Sequence, residues 1–407
     1  MELLYVSRLC SEGRLAALLR EEAVKPAQQE QKFHGLLARA LATLAEGVTA
    51  LSLLPAQWGR GALPALAGES EQGIAYRYLS PGRIPFLSHG IAFGWSFLAC
   101  LRWSRRGRPG PRFVVCDVLD LSISAGARLA AKVAGVPAVA IVTDIPELLH
   151  GYIGGGRTPL GRLAVWAYRR LATFCMTRYD AFILLTEGMD PLVNPRGRPR
   201  LVLEGMADPG MGGVRNDLEA KFPEPVVLYA GALYRKYGVG TLLDAFLKVP
   251  RPDARLWLYG AGELEAELGA YAGRDPRITF WGVRPNPEVV AAEVRATLLV
   301  NPRPSSEPFT RFSFPSKNME YMASGTAVLT TPLPGMPAEY LEHVFTFPDE
   351  SVDGMAAMLG RLLDRPREEL HRRGEGAKAF VLTRKSSLVQ AGRVEAFLRA
   401  LLPAAGS

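Results

Sequence analysis

The sequence has little cysteine and no pair of cysteines close enough to share a metal ion. Its 407 residues contain Cys10, Cys100, Cys116 and Cys175, and none of them belongs to a CxxC motif. This spacing argues against a disulfide framework and against a structural zinc site. We therefore predict buried free thiols in a reducing compartment, and the cytoplasm is the expected location.

The sequence also lacks the features of a secretory signal. The start, MELLYVSRLCSEG, carries Glu2 where a signal would be basic, and it has no apolar run of signal length. One segment, Ile84–Leu101, is nearly apolar over about the length that a membrane-spanning helix needs. It contains Pro85, Ser88, His89 and two glycines. A largely buried domain helix is the favoured interpretation, and a transmembrane helix is the alternative.

The formal net charge of +8 is concentrated in the first half, where residues 1–208 hold 24 basic against 17 acidic side chains. Two groups of arginines stand out there: Arg102, Arg105, Arg106, Arg108 and Arg112, then Arg157, Arg162, Arg169, Arg170 and Arg178. Such charge attracts anionic lipid, nucleic acid or phosphorylated substrates, although a solvated arginine-rich face is an equal alternative. Aromatic residues are not interleaved in a stacking pattern, so nucleic acid is not an expected partner.

The length and the 48% hydrophobic content predict about two globular domains. Short β-rich runs alternate with helical stretches, which is typical of βαβ units and parallel sheets. The first series of predicted strands is 3–6, 48–53, 74–79, 113–117, 138–143 and 181–186; the second is 226–230, 255–259, 278–281, 296–300, 327–330 and 344–347. The two series predict two doubly wound α/β domains.

A segment rich in proline, glycine and arginine, Pro191–Pro225, separates the two series of strands. We therefore predict an N-terminal domain over residues 1–205 and a C-terminal domain over residues 206–385. The last stretch, residues 386–407, has apolar positions at helical spacing, and we expect it to be a helix that crosses back to the first domain.

Ligands of open α/β sheets bind beyond the carboxyl ends of the strands, so the loops after the predicted strands are the places to look. After the strand 226–230, Gly231 permits a tight turn, and Arg235 and Lys236 precede a helix. Two cations at a helix start are unfavourable unless an anion binds there, although a solvated surface is an equal alternative. Tyr259 and Gly260 form a second, weaker signal of this kind.

The most informative loop runs from Asn301 to Gly335 and contains FPSKNMEYMASG. Ser313–Ser316 precedes a predicted helix that carries Lys317 and Glu320, and a proline near the helix start agrees with the usual preference. A carboxylate at the position of Glu320 could accept hydrogen bonds from a ribose diol. A glutamate in the first turn is also a common partner of the helix dipole.

The stretch FPSKNMEYMASGTAVLTT resembles the nucleotide-sugar signature of family-4 retaining glycosyltransferases with the GT-B fold, in the bacterial polysaccharide-assembly type. The resemblance continues in VVLYAGALYRKYGVGTLLDAF and RLWLYGAGELEAEL, and more faintly in PAQQEQKFHGLLARALA, VAIVTDIPELL and FILLTEGMDPLVN. It implies two Rossmann-like domains that face each other across a cleft, with the nucleotide in the C-terminal domain and the acceptor in the N-terminal one.

By position, the resemblance assigns roles to residues of the second domain. Glu320 matches the second glutamate of a paired motif and would bind the donor ribose. Arg235 and Lys236 lie near a basic pair that stabilises the leaving diphosphate. The backbone of one loop would face the diphosphate and sugar, and the donor-binding set becomes Gly231, Tyr259, Gly260, Ser313, Phe314, Pro315, Ser316, Lys317 and Glu320.

The sequence departs from the family pattern at two places. Phe312 stands where many members have the first glutamate of the pair, and Glu307 lies five residues earlier. Ala232 stands where many members have an arginine, and Tyr237 where their lysine falls. These departures put the diphosphate contacts and the identity of the donor sugar in question.

In the first domain, Asp144 follows a predicted strand in VTDIPELL and could orient an acceptor hydroxyl or take up its proton. A helix N-cap role for Asp144 is an equal alternative. The histidines His34, His89 and His150 are scattered, and lone histidines are more often structural, so no histidine base is expected.

The sequence thus predicts metal-independent sugar transfer from a nucleotide diphosphate sugar with retained anomeric configuration, and no cofactor besides the donor. No Asp-x-Asp motif is present. The basic, apolar-edged first domain predicts a glycan or lipid-linked acceptor and contact with an anionic membrane on its inner face. A non-catalytic nucleotide-sugar-binding scaffold of a polysaccharide-assembly complex is the alternative, because the first motif glutamate is missing.

Overall fold

The computed structural model of the chain describes residues 1–20, 28–54, 68–79, 85–106, 110–145 and 159–402. Its contacts divide the chain into two compact units. The first unit contains Met1–Glu204 and Ser387–Ser407, and the second contains Gly205–Ser386. The chain therefore passes between the units twice, after Glu204 and after Ser386.

The described part of the first unit contains one eight-stranded sheet, in the order β3-β4-β2-β1-β5-β6-β7-β8. All neighbours are parallel except β3, which is antiparallel to β4. The strands are β1 Glu2–Ser7, β2 Gly47–Leu53, β3 Glu69–Glu71, β4 Ile74–Leu79, β5 Arg112–Asp117, β6 Ala138–Val142, β7 Ala181–Leu184 and β8 Arg200–Val202.

The helices of the first unit lie between these strands, as expected for βαβ units. They are α1 Glu12–Arg20, α2 Gln28–Leu44, α3 Pro85–Ser104, α4 Leu121–Ala134, α5 Pro159–Met176 and α6 Asp190–Val193, together with the final helix of the chain, α14 Ser387–Ala400. Helix α14 packs on α2, and its buried side chains include Ala391, Val394 and Leu398. The last helix therefore contributes to the core of the first unit.

The second unit contains a six-stranded parallel sheet in the order β11-β10-β9-β12-β13-β14. Numbered from the start of the unit, this is the order 3-2-1-4-5-6 of a Rossmann fold. Its strands are β9 Val226–Ala230, β10 Arg255–Tyr259, β11 Ile278–Gly282, β12 Leu298–Asn301, β13 Val328–Thr330 and β14 Phe345–Thr346.

Helices cover both faces of the second sheet. They are α7 Val239–Leu247, α8 Glu265–Arg274, α9 Asn286–Arg295, α10 Ser316–Ser324, α11 Ala338–Leu341, α12 Val352–Leu363 and α13 Arg367–Arg384. One apolar core packs α7, α8 and α12 against the sheet, and a second core packs α9, α10, α11 and α13. Because both faces of the strands are buried, their sequences are nearly continuous apolar runs.

The predicted fold class is confirmed, since each unit contains a doubly wound, mainly parallel sheet. Every strand in the two predicted series is present, with ends that differ by one or two residues. Two strands were not predicted. Strand β3 has the sequence ESE and no apolar residue, and β8 lies within the segment rich in proline, glycine and arginine.

The apolar segment Ile84–Leu101 corresponds to α3, but the prediction of a largely buried helix is wrong in part. A stripe of small side chains at every fourth position, Ser88, Ala92, Ser96 and Cys100, is buried, and α3 packs on α4 through it. Gly126 of α4 permits this close approach, because an added Cβ would clash with the carbonyl of Phe93. The larger side chains Leu87, Trp95 and Leu98 are instead exposed.

None of the helices within the described ranges is long and apolar enough to cross a membrane. Helix α3 ends in a basic segment, and its buried stripe is made of side chains that suit helix packing in protein. The transmembrane alternative for this segment is therefore not supported.

Candidate functional site

The strand order of the second unit places a switch point between β9 and β12, which leave the sheet toward helices in opposite directions. In such sheets a crevice forms beyond the carboxyl ends of the two strands, and ligands bind there. Two residues at this position, Ala230 and Asn301, end β9 and β12. Gly231 follows β9, and Pro302 and Arg303 follow β12. The site is built around these two strand ends.

Glycine is required at three close approaches around this crevice. Gly231 has a φ of 151°, and an added Cβ would clash with the ammonium of Lys317. Gly260, with a φ of 126°, has no room for a Cβ beside the carbonyl of Gly231, and Gly238, with a φ of 76°, has none beside the carbonyl of Pro302. The chain therefore lies tightly against its neighbours where a ligand would approach the backbone.

Helix α10 is fixed to the strand ends by buried hydrogen bonds. The hydroxyl of Tyr321 donates to the carbonyl of Ala230 at 3.1 Å and accepts from the Ala230 N–H at 2.8 Å. The side-chain amide of Asn301 donates to Asn318 at 2.8 Å, and Asn318 donates to the Thr330 hydroxyl at 3.1 Å. These contacts hold α10 in register with β9, β12 and β13, so side chains on α10 are held rigidly at the crevice.

Two cations lie together at the crevice. The pKa of Lys317 is lowered to about 8, because burial and the positive charge of Arg303 together outweigh the opposing charge of Glu320. Burial also lowers the pKa of Arg303. Lys317 lies 5.4 Å from the centroid of the Tyr229 ring. Each charge therefore raises the cost of burying the other.

Neither cation forms an ion pair with an acidic side chain within the described residues. The guanidinium of Arg303 lies 5.0 Å from the Tyr237 ring centroid and donates to the Ser313 hydroxyl at 3.3 Å, and its Nε is buried without a hydrogen-bond partner. Partly buried charge without an ion-pair partner is costly unless a partner is supplied. The pair can therefore bind an anion.

The remaining predicted donor-binding residues surround this pair. Ser313 contacts Arg303, as described above, and Glu320 lies on α10 one turn beyond Ser316. Phe314 is buried against Tyr340, with ring centroids 5.1 Å apart, so only its backbone is available to a ligand. Pro315 occupies the N-cap position of α10, and Ser316 is exposed at its first turn.

Arg235 and Lys236 lie in a short 3₁₀ turn, Arg235–Tyr237, before α7. The guanidinium of Arg235 is exposed and contacts both carboxylate oxygens of Glu267 at 2.5–2.6 Å. The ammonium of Lys236 lies 5.2 Å from the ring centroid of Tyr237. Arg235 therefore already has a carboxylate partner, unlike Lys317 and Arg303.

Arg303 was not among the predicted site residues, and no local motif singles it out. The sequence signal that could have found it is its position directly after β12, at the switch point of the sheet. It matters because Ala232 and Tyr237 stand where family members have an arginine and a lysine. Arg303 and Lys317 supply an arginine and a lysine at the crevice from other positions in the chain.

Tyr259, at the end of β10, belongs to an aromatic group on the same edge of the sheet. Its ring is stacked on Trp281, with centroids 6.0 Å apart and planes within 7°, and Trp281 meets Trp257 edge to face at 5.3 Å. Burial raises the pKa of Tyr259. The side chain of Trp281 is partly exposed, so this stack presents a planar surface to solvent.

The first unit has its own switch point, between β1 and β5, and charged residues occupy it. Arg8, just after β1, donates from Nε and a terminal nitrogen to the same Asp120 oxygen at 2.9 and 2.8 Å. Although burial alone would raise it, the pKa of Asp120 is lowered by Arg8 and by hydrogen bonding from Ser122. Asp120 also caps α4. Sequence reasoning did not identify this pair.

A buried group, Glu30, His34 and Asp117, lies at the same switch point. The Tyr5 hydroxyl and His34 Nδ1 are 2.6 Å apart, and His34 Nε2 lies 3.3 Å from Asp117 Oδ2. These three residues could hold a metal ion, since their ligand atoms lie within 4.8 Å of one another. A buried contact between His34 and Asp117 explains the same geometry without one. Burial and the Asp117 charge raise the pKa of Glu30.

Asp144 lies two residues beyond the end of β6 and is half-buried. Its carboxylate accepts a hydrogen bond from the N–H of the next residue, Ile145, at 2.8 Å. The rest of the predicted VTDIPELL loop, from residue 146, and His150 lie outside the described residues. Asp144 is thus at the carboxyl edge of the first sheet, where the prediction placed it.

Comparison with known proteins identifies the second unit. A family model described as "Glycosyl transferases group 1" matches residues 224–365, which include β9, β12, α10 and the cation pair. This part of the chain is therefore similar to a glycosyltransferase group 1 domain. No curated protein sequence matches the chain.

Solved glycosyltransferase structures are similar over almost the whole chain. An apo structure of OtsA has a TM-score of 0.69 at 12% identity, covering 99% of this chain and 100% of that chain. Sucrose-phosphate synthase from Thermosynechococcus elongatus has a TM-score of 0.64 at 14% identity, with the same coverage. Anabaena HepE in complex with UDP-glucose has a TM-score of 0.62 at 16% identity, covering 98% and 100%.

At such identities the likeness shows the fold. Together with the two Rossmann-like sheets, it confirms the predicted GT-B fold. The predicted resemblance to family-4 glycosyltransferases of this fold is confirmed at the level of the group 1 domain.

Proposed function

We propose, from the premise that its second unit is similar to a glycosyltransferase group 1 domain, that this chain transfers a sugar from a nucleotide diphosphate sugar to an acceptor. The observation that carries the proposal is the pair of half-buried cations, Lys317 and Arg303, at the switch point of a Rossmann sheet; neither forms an ion pair within the described residues. A diphosphate supplies the negative charge that this pair lacks. Glu320, one turn along α10, is the proposed ligand of the ribose hydroxyls.

Departure of the nucleoside diphosphate is the step that these residues assist. As the bond from the anomeric carbon to the diphosphate oxygen breaks, negative charge develops on that oxygen, and Lys317 and Arg303 stabilise it. The backbone N–H groups around Gly231 and at the start of α10 are the other proposed contacts. Arg235 and Lys236 are proposed to make a smaller contribution to stabilising this charge, because Arg235 already forms a salt bridge with Glu267.

We further propose that transfer retains the anomeric configuration and needs no metal ion. Both properties rest on the resemblance to family-4 enzymes. NMR of the first product formed tests the first, because an inverted anomeric coupling would contradict it. Unchanged turnover after treatment with EDTA is the expected result for the second.

The proposed acceptor is a lipid-linked or polysaccharide intermediate of cell-surface glycan assembly, bound by the first unit at the inner face of the membrane. Asp144 is the proposed residue that orients the acceptor hydroxyl. Arg8 and Asp120 lie at the same carboxyl edge of the first sheet. The proposal is supported by the basic, apolar-edged character of this unit.

A thermal-shift screen against UDP, GDP, ADP and their common sugar conjugates tests the donor assignment. Uridine nucleotides come first, because the similar Anabaena HepE structure contains UDP-glucose. We expect one nucleotide to stabilise the protein and Glu320→Ala to lose that stabilisation. Stabilisation without any hydrolysis or transfer would favour a non-catalytic nucleotide-sugar-binding scaffold, for which Phe312 in place of the first motif glutamate is the motivating observation. Absence of any shift would refute donor binding.

A further inference from the structure

Helix α5 of the first unit turns large apolar side chains toward solvent. The residues concerned, each more than half exposed, are Leu163, Trp166, Leu171 and Phe174. On the opposite side of the helix, Ala172 and Met176 are buried. A surface helix of a soluble protein normally points its apolar stripe inward and its polar side chains outward. The outward face of α5, defined by these four side chains, has the reverse pattern.

The same helix carries only positive charge. Arg162, Arg169 and Arg170 lie within it, Arg178 follows it, and residues 159–179 contain no aspartate or glutamate. The Arg170 guanidinium lies 5.5 Å from the Trp166 ring centroid, and that of Arg178 lies 3.3 Å from the Phe174 ring centroid. Arg170 and Arg178 therefore lie on the same face as these rings.

Neighbouring helices of the first unit also carry exposed apolar side chains. Helix α4 contacts both α5 and α3, and Leu129 and Val133 of α4 are 40% and 58% exposed, with Lys132 exposed between them. Trp95 of α3 is 51% exposed. Exposed apolar side chains grouped in this way on a folded protein mark an interaction surface.

The charge pattern selects the kind of partner. A second copy of this chain is disfavoured, because a two-fold interface would place one arginine-rich face against another without acidic side chains to pair with them. An anionic lipid surface suits both kinds of side chain. Its apolar interior accommodates the rings, and the layer of negative charge above it attracts the guanidiniums.

We propose that the outward face of α5 docks on an anionic lipid bilayer, with Trp166 and Phe174 inserted at the interface and the arginines at the headgroups. The helix lies in the plane of the bilayer and does not cross it. The inference rests on the proposed function only in so far as a membrane-bound acceptor gives such docking a purpose.

Vesicle co-sedimentation of the full chain tests the docking. We expect binding to vesicles that contain phosphatidylglycerol and weak binding to phosphatidylcholine alone. Each cation near an anionic surface is worth about fivefold in partitioning, so Arg170→Gln with Arg178→Gln should weaken binding about 25-fold. Trp166→Ala with Phe174→Ala should weaken it at least as much. Quenching of tryptophan emission by brominated lipid should decrease in Trp166→Phe.

Matched variants elsewhere in the first unit serve as controls. Arg196→Gln with Arg198→Gln removes the same charge from exposed positions, and Leu44→Ala with Leu388→Ala removes exposed apolar side chains. Both should bind vesicles like the unaltered chain. No binding to anionic vesicles, or equal loss in the control variants, overturns the proposal. So does concentration-dependent self-association that the α5 variants abolish, since a second copy then covers the face.

The nucleotide thermal shift separates this inference from the proposed function. The α5 variants should keep the full donor-dependent shift, because the donor residues lie in the second unit. If the chain binds vesicles through α5 but no nucleotide shifts its melting, the proposed function fails and the docking surface stands. If a nucleotide binds and vesicles do not, the reverse holds.

Discussion

At the residue scale, the most consequential feature is the neighbouring pair of Lys317 and Arg303. Two like charges that are partly withdrawn from water oppose folding, and Glu320 offsets only part of the cost at Lys317. Such an arrangement persists where an anionic ligand compensates for it, which is a common way for binding sites to trade stability for function. The pair therefore predicts opposite effects on stability and on donor binding.

Replacement of Lys317 by methionine removes one charge and keeps the length of the side chain. We expect the ligand-free protein to become more stable, and a gain of about 1 kcal/mol would raise Tm by about 2–4 °C. We expect turnover to fall about 100-fold to 1,000-fold, as for loss of one group that stabilises developing charge. Calorimetry and a transfer assay measure the two effects. In the control Lys236→Met, stability should be unchanged.

The low pKa of Lys317, about 8, predicts how donor binding depends on pH. Only the protonated ammonium attracts the diphosphate, so affinity should be full below pH 8. Above it the affinity should decrease, approaching about tenfold per pH unit. Titration calorimetry between about pH 6.5 and 9.5, which spans this pKa, measures the donor affinity. Lys317→Arg should abolish the decrease, and an unchanged decrease would show that another group titrates.

Gly231 lies directly against the ammonium of Lys317. An alanine there would need a φ near 151° and would place its Cβ on the Lys317 side chain. We expect Gly231→Ala to lose donor binding and to destabilise the second unit by about 1–3 kcal/mol. Urea unfolding provides the measurement. The matched control is Gly269→Ala in α8, where no atom lies within 4 Å of the added Cβ, and stability there should increase slightly.

At the element scale, helix α10 is placed by its polar side chains as much as by its apolar ones. Met319 and Met322 are buried in the core, but this packing alone does not fix the helix along its axis. The bonds from Tyr321 to both backbone groups of Ala230 do so. They couple the donor helix to the central strand β9.

Tyr321→Phe removes the hydroxyl and leaves the N–H and carbonyl of Ala230 without this partner. We expect a loss of about 1–3 kcal/mol, since unsatisfied buried polar groups carry their full desolvation cost, and a weaker nucleotide shift. Tyr271→Phe is the comparison, because its hydroxyl binds Asp244 at an exposed position, and it should cost much less. Equal losses in the two variants would contradict a positioning role for Tyr321.

The strands and the motif helix were predictable from sequence because their signals are local. Buried parallel strands are apolar runs, and FPSKNMEYMASG carries its residues within one helix and the loop before it. The charge partners were not predictable. Arg235 and its partner Glu267 are 32 residues apart, and Arg303 meets Lys317 only because β12 lies beside β9. The sequence of α5 indicates its positive charge but not its exposed apolar stripe, because helical spacing does not say which side of a helix faces the sheet.

At the scale of the whole molecule, the first unit is made of two separate pieces of chain, whereas the second is continuous. Helix α14 packs on α2 and buries Val394 and Leu398. Loss of these contacts should destabilise the first unit and leave the core of the second unit unaltered.

A chain that ends at Ser386 tests this division. We expect one calorimetric transition of the full chain to move down by many degrees or disappear. The other transition, identified by its response to the nucleotide found in the screen, should be unchanged. A uniform decrease of both transitions would mean that the two units melt together.

The discontinuity of the first unit also determines which unit can complete its core first during translation. Residues 1–204 emerge before the second unit, yet their partner helix is synthesised only after the whole of that unit. The nascent second unit can therefore complete its core while α2 still lacks its cover. During that interval the apolar surface of α2 that α14 will bury is open to chaperones, and the time needed to translate residues 205–386 sets its duration.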